Sequence, residues 1–212
     1  ARRLKGNAGL LRRLLDAGIH YAYVEDHEKV LQYLQEAAIL GVDTLSTSIS
    51  DLEADPELEE ALHVTGDIFR ELGTELEDSG NTENLEEALN CYNKYLQAAN
   101  KLYSWDKSIE YALMYARAMG RMGDAYRKHG TKEGLQRGIV WYHNREDLLK
   151  NLLVRHPSRK VRGALVSVSR QLLRTYVELG GEDNFAKALA YAEVCIQQTE
   201  YLNDVNTADS LC

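Results

Sequence analysis

The residues that most often carry chemistry are scattered along the 212-residue chain. It has six histidines and three cysteines, and none of them forms a His-x3-His or Cys-x2-Cys pair with the spacing of metal ligands. The chain also lacks a glycine-rich phosphate loop and a serine at a strand–turn–helix elbow. The sequence therefore predicts no metal site, no cofactor and no enzymatic activity.

The densest polar stretch is HNRED, from His143 to Asp147. It is open to two interpretations, an acid–base pair or the solvent-facing side of a helix, and we favour the second. Paired acids such as Glu59 and Glu60 are adjacent, so they point to different sectors of a helix and do not readily share a proton. Cys91 and Cys195 lie within helical patterns, as small core residues do.

Composition and charge narrow the classes of partner. The net charge of −8 opposes general binding to a phosphate backbone. No apolar run approaches the roughly 20 residues that span a bilayer, and three widely spaced cysteines fit a reducing, cytoplasmic location. The chain does not begin with Met, and we expect it to be a fragment of a longer protein.

The elements that must position any site are predicted by a repeat of fifty residues. Similar residues recur in register three times along the chain, as a glycine, a large apolar residue, a small residue and an aromatic residue. They are Gly80, Gly130 and Gly180; Leu85, Leu135 and Phe185; Ala88, Gly138 and Ala188; and Tyr92 and Tyr142, where the third copy has Ala192. A fixed period of this kind is typical of stacked structural units.

A second block precedes each of these segments. Its copies are Leu62-x2-Thr65-Gly66-x2-Phe69, Met119-x2-Met122-Gly123-x2-Tyr126 and Ser169-x2-Leu172-Leu173-x2-Tyr176. An outlying copy is Leu14-x2-Ala17-Gly18-x2-Tyr21. The copies that begin at Leu62 and Met119 are seven residues further apart than the copies that begin at Met119 and Ser169. This difference predicts an inserted turn or loop around residues 73–80.

These blocks resemble the tetratricopeptide repeat, whose helix A carries Leu-Gly and an aromatic residue and whose helix B carries a small residue and an aromatic residue. The helix A glycine is matched by Gly18, Gly66 and Gly123, with Leu173 as a departure, and its aromatic by Tyr21, Phe69, Tyr126 and Tyr176. The helix B positions are matched by Ala88, Gly138 and Ala188 and by Tyr92 and Tyr142.

The resemblance implies an all-α, right-handed superhelix, or solenoid, of about four helical hairpins in a single domain. Their approximate bounds are 8–42, 56–103, 106–155 and 158–203. Because the period exceeds the usual 34 residues, we expect helices near 20 residues, such as 82–103 and 106–129. Asp55 and Pro56 predict a helix start, and Gly73, Gly80, Gly130 and Gly180 are expected to end helices.

In that family the concave surface is lined by helix A residues around the glycine. Carried over to this sequence, the candidate partner-binding residues are His63, Asp67, Arg70, Arg117, Asp124, Arg127, Arg170 and Arg174. Arginines on one face would suit a carboxylate-bearing peptide; the alternative is that they pair with nearby acids and only solubilise the surface. The Lys/Asn pattern of family members that bind chaperone tails is absent, since Leu15 and Ile19 stand there.

The sequence therefore predicts a non-catalytic module that binds a protein or peptide partner. Two alternatives stay open: a regulatory sensor segment of a larger multidomain protein, and an RNA-binding helical array served by the basic segment 145–162.

Overall fold

The structure, a computed structural model, describes residues 8–78 and 82–209, and within those ranges it contains no strand. Its helices are α1 (Ala8–Tyr23), α2 (His27–Gly41), α3 (Ile49–Ala54), α4 (Pro56–Asp78), α5 (Thr82–Trp105), α6 (Ile109–Lys128), α7 (Lys132–Arg155), α8 (Arg159–Leu179) and α9 (Glu182–Asp209), with a short 3-10 helix at Val42–Ser46. The predicted all-α, solenoid-like fold of consecutively packed helices is confirmed.

The chain forms two compact units, Ala1–Ala118 and Met119–Cys212. In the first unit α1 and α2 pack on each other and on α4, and α4 packs on α5. In the second unit α8 packs on both α7 and α9. The handedness of the array, its extent as a single domain and the four hairpin bounds stay predictions.

The helix ends follow local capping chemistry. Asp55 Oδ1 accepts the backbone N–H of Glu57 at 3.1 Å, which confirms the predicted start of α4. Thr131 Oγ1 accepts the N–H of Gly134 at 3.0 Å at the start of α7. Gly130 and Gly180 have φ of 66° and 69° beside the ends of α6 and α8, where the absence of Cβ permits a left-handed turn.

The prediction that Gly73 ends a helix was wrong. Helix α4 continues to Asp78, so residues 73–78 are helical and hold no loop. Gly80, the next glycine that was expected to end a helix, lies outside the described residues. A methyl group on Gly73 would lie 2.7 Å from Tyr92 Cε1, so the glycine is needed for the close approach of that ring.

The contacts of two tyrosines give the register of the repeat. Tyr92 lies over Gly73; its hydroxyl donates to the Glu77 carboxylate and lies 3.4 Å from Thr74 Oγ1. Tyr142, fifty residues on, lies over Gly123 and donates to Asp124 Oδ1 at 2.7 Å. Gly73 is therefore the structural counterpart of Gly123. The sequence alignment of Gly66 with Gly123 was wrong by seven residues, and the fifty-residue spacing needs no insertion.

The segment between the first hairpin and α4 is held by buried polar contacts. Thr44 Oγ1 donates to the Gly41 carbonyl at 2.7 Å and lies 3.0 Å from Thr65 Oγ1. Lys101 Nζ, on α5, donates to the carbonyls of Leu45 and of Thr47, the latter at 2.8 Å. These contacts satisfy backbone groups that the 3-10 helix leaves without partners.

Replacing glycine by alanine should change stability in opposite directions at glycines that contact a tyrosine ring and at a glycine with open space around it. Gly73→Ala and Gly123→Ala should each lower the free energy of unfolding by about 1–3 kcal/mol, because the added methyl group overpacks against a buried ring. Gly163→Ala, on α8 with open space around its Cα, should raise it by about 0.4–1 kcal/mol. Urea titration followed by circular dichroism measures all three. A stabilised Gly123→Ala chain would contradict the proposed contact.

Candidate functional site

On α4, the three residues predicted to bind a partner are already paired with one another. Arg70 contacts Asp67 Oδ1 at 3.4 Å through Nε and Nη2, and its Nη2 lies 2.7 Å from Glu71 Oε1. His63 Nδ1 lies 3.6 Å from Asp67 Oδ2. For these three residues the arrangement matches the alternative interpretation, in which charges on this face neutralise each other.

Arg117 is exposed on α6 and lies close to the buried ring of Tyr95. Burial raises the pKa of Tyr95, and the positive charges of Arg117 and Arg70 only partly offset that effect. The Tyr95 hydroxyl therefore stays protonated and donates to the Met114 carbonyl at 3.4 Å.

In the second unit, two of the four predicted residues have partners and two do not. Arg127 Nη1 lies 2.7 Å from Glu178 Oε1, and Asp124 accepts hydrogen bonds from Tyr142 and Gln171. Arg170 and Arg174 are exposed one turn apart on α8, and neither forms an ion pair with any residue that the structure describes. Among the predicted residues of the second unit, these two arginines are free to bind an anion.

A buried polar network lies below this surface. Arg145 is 9% exposed, and its Nη1 donates to Gln171 Oε1 at 2.6 Å. Gln171 Nε2 then donates to both Asp124 oxygens, at 2.8 and 3.0 Å. Burial and the Asp124 carboxylate raise the pKa of Tyr142, so its hydroxyl remains a donor to Asp124. The network links α6, α7 and α8.

A second cluster surrounds Glu146, which is also buried. Its carboxylate accepts the Tyr191 hydroxyl at 3.1 Å and contacts Lys150 Nζ at 2.9 Å and His143 Nδ1 at 3.4 Å. His143 Nε2 lies 3.0 Å from the Tyr176 hydroxyl, and the Tyr176 and Tyr191 rings stack at 6.1 Å.

The expectation that HNRED forms a solvent-facing side of a helix was wrong for its central residues. Arg145 and Glu146 stand fifty residues after Tyr95 and Leu96, at positions that face neighbouring helices. The strict register was therefore the signal that could have located them in the interior. Composition alone could not do so, because a dense run of charges is most often exposed.

An open pocket of about 480 Å³ lies between α1, α2 and α4 in the first unit. Its floor is apolar, formed by Gly18 with the buried side chains of Val30 and Leu34. One wall is α4, which contributes two carboxylates one turn apart and a hydroxyl between them. The opposite wall is α1, with an aromatic ring that is 81% exposed. These wall residues are Glu71, Thr74 and Glu75 on α4 and Ile19, Ala22 and Tyr23 on α1.

Each pocket carboxylate has a basic neighbour outside the pocket. Glu71 pairs with Arg70, and Glu75 accepts a hydrogen bond from His27. The hydrogen bond to Glu75, followed by the charge of that group, raises the pKa of His27. Because a carboxylate offers about four lone-pair positions, both groups can accept a further donor from a ligand.

The resemblance put Ile19 at a position of the Lys/Asn pattern but did not identify the α4 wall. Its alignment centred the α4 surface on Gly66, whereas the structural register centres it on Gly73. Thr74 then takes the position next to the glycine, and the carboxylates flank it.

Three further features concern metal ions, cysteine chemistry and membranes. The described parts of the chain hold no group of three or more His, Cys, Asp or Glu side chains that could hold a metal ion. Cys91 is confirmed as a core residue, and burial raises the pKa of its thiol to about 11. No helix in the residues the structure describes is long and apolar enough to cross a membrane.

These features define an all-α helical-repeat protein. No protein-family model matches the sequence, and no curated protein matches it. Among solved structures the chain is similar to the DHF58 filament, at 19% identity and a TM-score of 0.58 over 97% of this chain and 96% of that chain. It is also similar to the DHF119 filament, at 22% identity and a TM-score of 0.51 over 96% of each chain. A de novo designed helical repeat protein, DHR64, has 19% identity and a TM-score of 0.49 over 97% of each chain. At these identities the likeness extends to the fold alone.

The buried network predicts a large cost for removing its central amide. Gln171→Leu should lower the free energy of unfolding by about 2–3 kcal/mol, since the buried Arg145 and the Asp124 carboxylate both lose hydrogen bonds. Gln136→Leu, at an exposed position on α7, should change it by less than about 0.5 kcal/mol. Urea titration of both variants measures the difference. Equal effects would show that the network contributes nothing to stability.

The contact between His27 and Glu75 predicts a titration shift. The pKa of His27 should lie above its ordinary value of 6.5 and should fall toward it in Glu75→Gln. Because the folded-state pKa is raised, this stabilisation is complete below the unfolded-state pKa and is lost as pH rises through the folded-state pKa. NMR titration of the His27 ring measures the shift. Glu28→Gln is the control and should leave it unchanged.

Proposed function

We propose that the chain is a non-catalytic interaction module that binds a peptide segment of a partner protein on its helix A surface. The observation that carries the proposal is the pocket between α1 and α4, the helices A of two successive hairpins. Its volume of about 480 Å³ is within the range of about 300–1,000 Å³ that is typical of ligand sites.

The lining of the pocket specifies the chemistry of the segment. Burying a Leu- or Phe-sized side chain over Val30 and Leu34 contributes about 1.5–3 kcal/mol. The carboxylates of Glu71 and Glu75 favour a cation beside that side chain, and the exposed ring of Tyr23 can contact the same cation through its face. The preferred ligand is therefore a large apolar residue adjacent to Lys or Arg.

A second candidate keeps the carboxylate-bearing peptide expected from the sequence. The observation that favours it is the pair Arg170 and Arg174, which are exposed, unpaired within the described chain and one turn apart on α8. Arginine binds carboxylates through two parallel hydrogen bonds. This site lies in the second unit and does not involve the pocket.

The other sequence-based expectations stay predictions. They are membership of the tetratricopeptide repeat family, a cytoplasmic location, a regulatory role inside a larger protein and RNA binding. The net charge of −8 opposes the last of these. No catalytic role is proposed.

Selection of short random peptides displayed on phage against the whole chain tests the pocket. We expect enrichment of sequences that pair a large apolar residue with Lys or Arg. An enriched peptide should bind Ala22→Trp about tenfold more weakly or worse, because the indole fills the pocket. Ala190→Trp, at an exposed position on α9, is the control and should bind as wild type.

Two results would contradict the pocket proposal. One is unchanged binding to Ala22→Trp. The other is enrichment of acidic peptides whose binding is lost in Arg170→Ala/Arg174→Ala, which would support the second candidate instead.

A further inference from the structure

The outer face of α9 carries apolar residues at positions that the preceding repeat buries. Phe185, Leu189 and Ile196 are 53%, 64% and 59% exposed. Their spacing of four and seven residues puts them on one side of the helix. Scattered exposed apolar residues are ordinary, but an aligned set on one helix face marks an interaction surface.

The fifty-residue register identifies the counterparts of these residues on α7. They are Leu135, Ile139 and Glu146, which are buried or half-buried. The next hairpin covers them: Glu146 accepts the Tyr191 hydroxyl at 3.1 Å, and Ile139 lines a small surface pocket with residues of α8 and α9. On α9 the same positions thus form a surface of the type that receives a helix in the preceding repeat.

Charge indicates which kind of helix fits. The helix that covers α7 is α8, which has five basic residues and one acidic residue. Between residues 182 and 199, α9 carries three acids, Glu182, Asp183 and Glu193, all exposed, and one lysine, Lys187. An acidic rim around an apolar stripe complements an amphipathic helix with basic flanks.

A second copy of the chain is a poor match for this face. In head-to-tail stacking the exposed face of α1 would meet α9, and that face carries Arg13, Asp16 and His20. Head-to-tail stacking would bury them against the apolar stripe, which is costly. Pairing α9 with α9 of another copy would bring two acidic helices together.

We propose that the outer face of α9 binds a basic amphipathic helix of a partner protein, seated as α8 is seated on α7. Aliphatic residues of that helix cover Phe185, Leu189 and Ile196, and a Lys or Arg meets Glu193. This surface is separate from the α1–α4 pocket, so either site can be present without the other.

The test uses the whole chain and a labelled synthetic peptide with the sequence of residues 158–179, which is the helix that covers α7. Fluorescence anisotropy should show saturable binding. Leu189→Ser/Ile196→Ser should weaken it by about tenfold or more. Val140→Ser/Val154→Ser removes two exposed aliphatic side chains from α7 and should leave the affinity unchanged.

Two further peptides separate the stripe from the charge. A scrambled peptide of the same composition should fail to bind, because it lacks the apolar face. A version with its five basic residues changed to glutamine should bind about tenfold more weakly. Equal binding of either peptide, or an equal loss in both double variants, would overturn the proposal.

Sedimentation equilibrium without peptide tests the second copy. We expect the wild-type chain and Leu189→Ser/Ile196→Ser to show the same mass. A wild-type dimer that this double variant dissociates would assign the face to self-association and would overturn binding of a partner helix.

Discussion

The contact of a tyrosine ring with a glycine on the neighbouring helix is the constraint on which the two middle repeats depend. It occurs as Tyr92 on Gly73 and, fifty residues later, as Tyr142 on Gly123. Both rings are fully buried, and each hydroxyl reaches the residue that follows the glycine. The ring therefore sets the distance between the two helices. The hydrogen bond of its hydroxyl sets their relative position along the helix axis.

Much of the fold could be predicted from this pattern, and most of the site could not. Apolar periodicity and caps located the long helices closely, since both are local properties of the sequence. The register of α4 was missed because Gly66 and Gly73 both fit a degenerate motif, and only the contact with Tyr92 distinguishes them. The pocket was missed for the same reason, since its α4 wall is defined by that register.

Two charged residues, Arg145 and Glu146, are buried inside the second unit, so the repeat accepts charged side chains in its interior. Arg145 and Glu146 occupy positions where the previous copy has Tyr95 and Leu96, and each has a polar partner on an adjacent helix. A buried charge is acceptable only with such partners. The two repeats thus share the tyrosine–glycine contact while using different interior chemistry.

The bonds from Lys101 to the carbonyls of Leu45 and Thr47 give the array an order of completion. Lys101 stands 56 positions after Leu45 and 54 positions after Thr47, whereas the contacts within a hairpin join residues that are much closer in the sequence. During synthesis the connection after the first hairpin therefore has no anchor until α5 has been made. A ribosome that pauses before residue 101 would hold a first hairpin whose connection to α4 is not yet bound by Lys101.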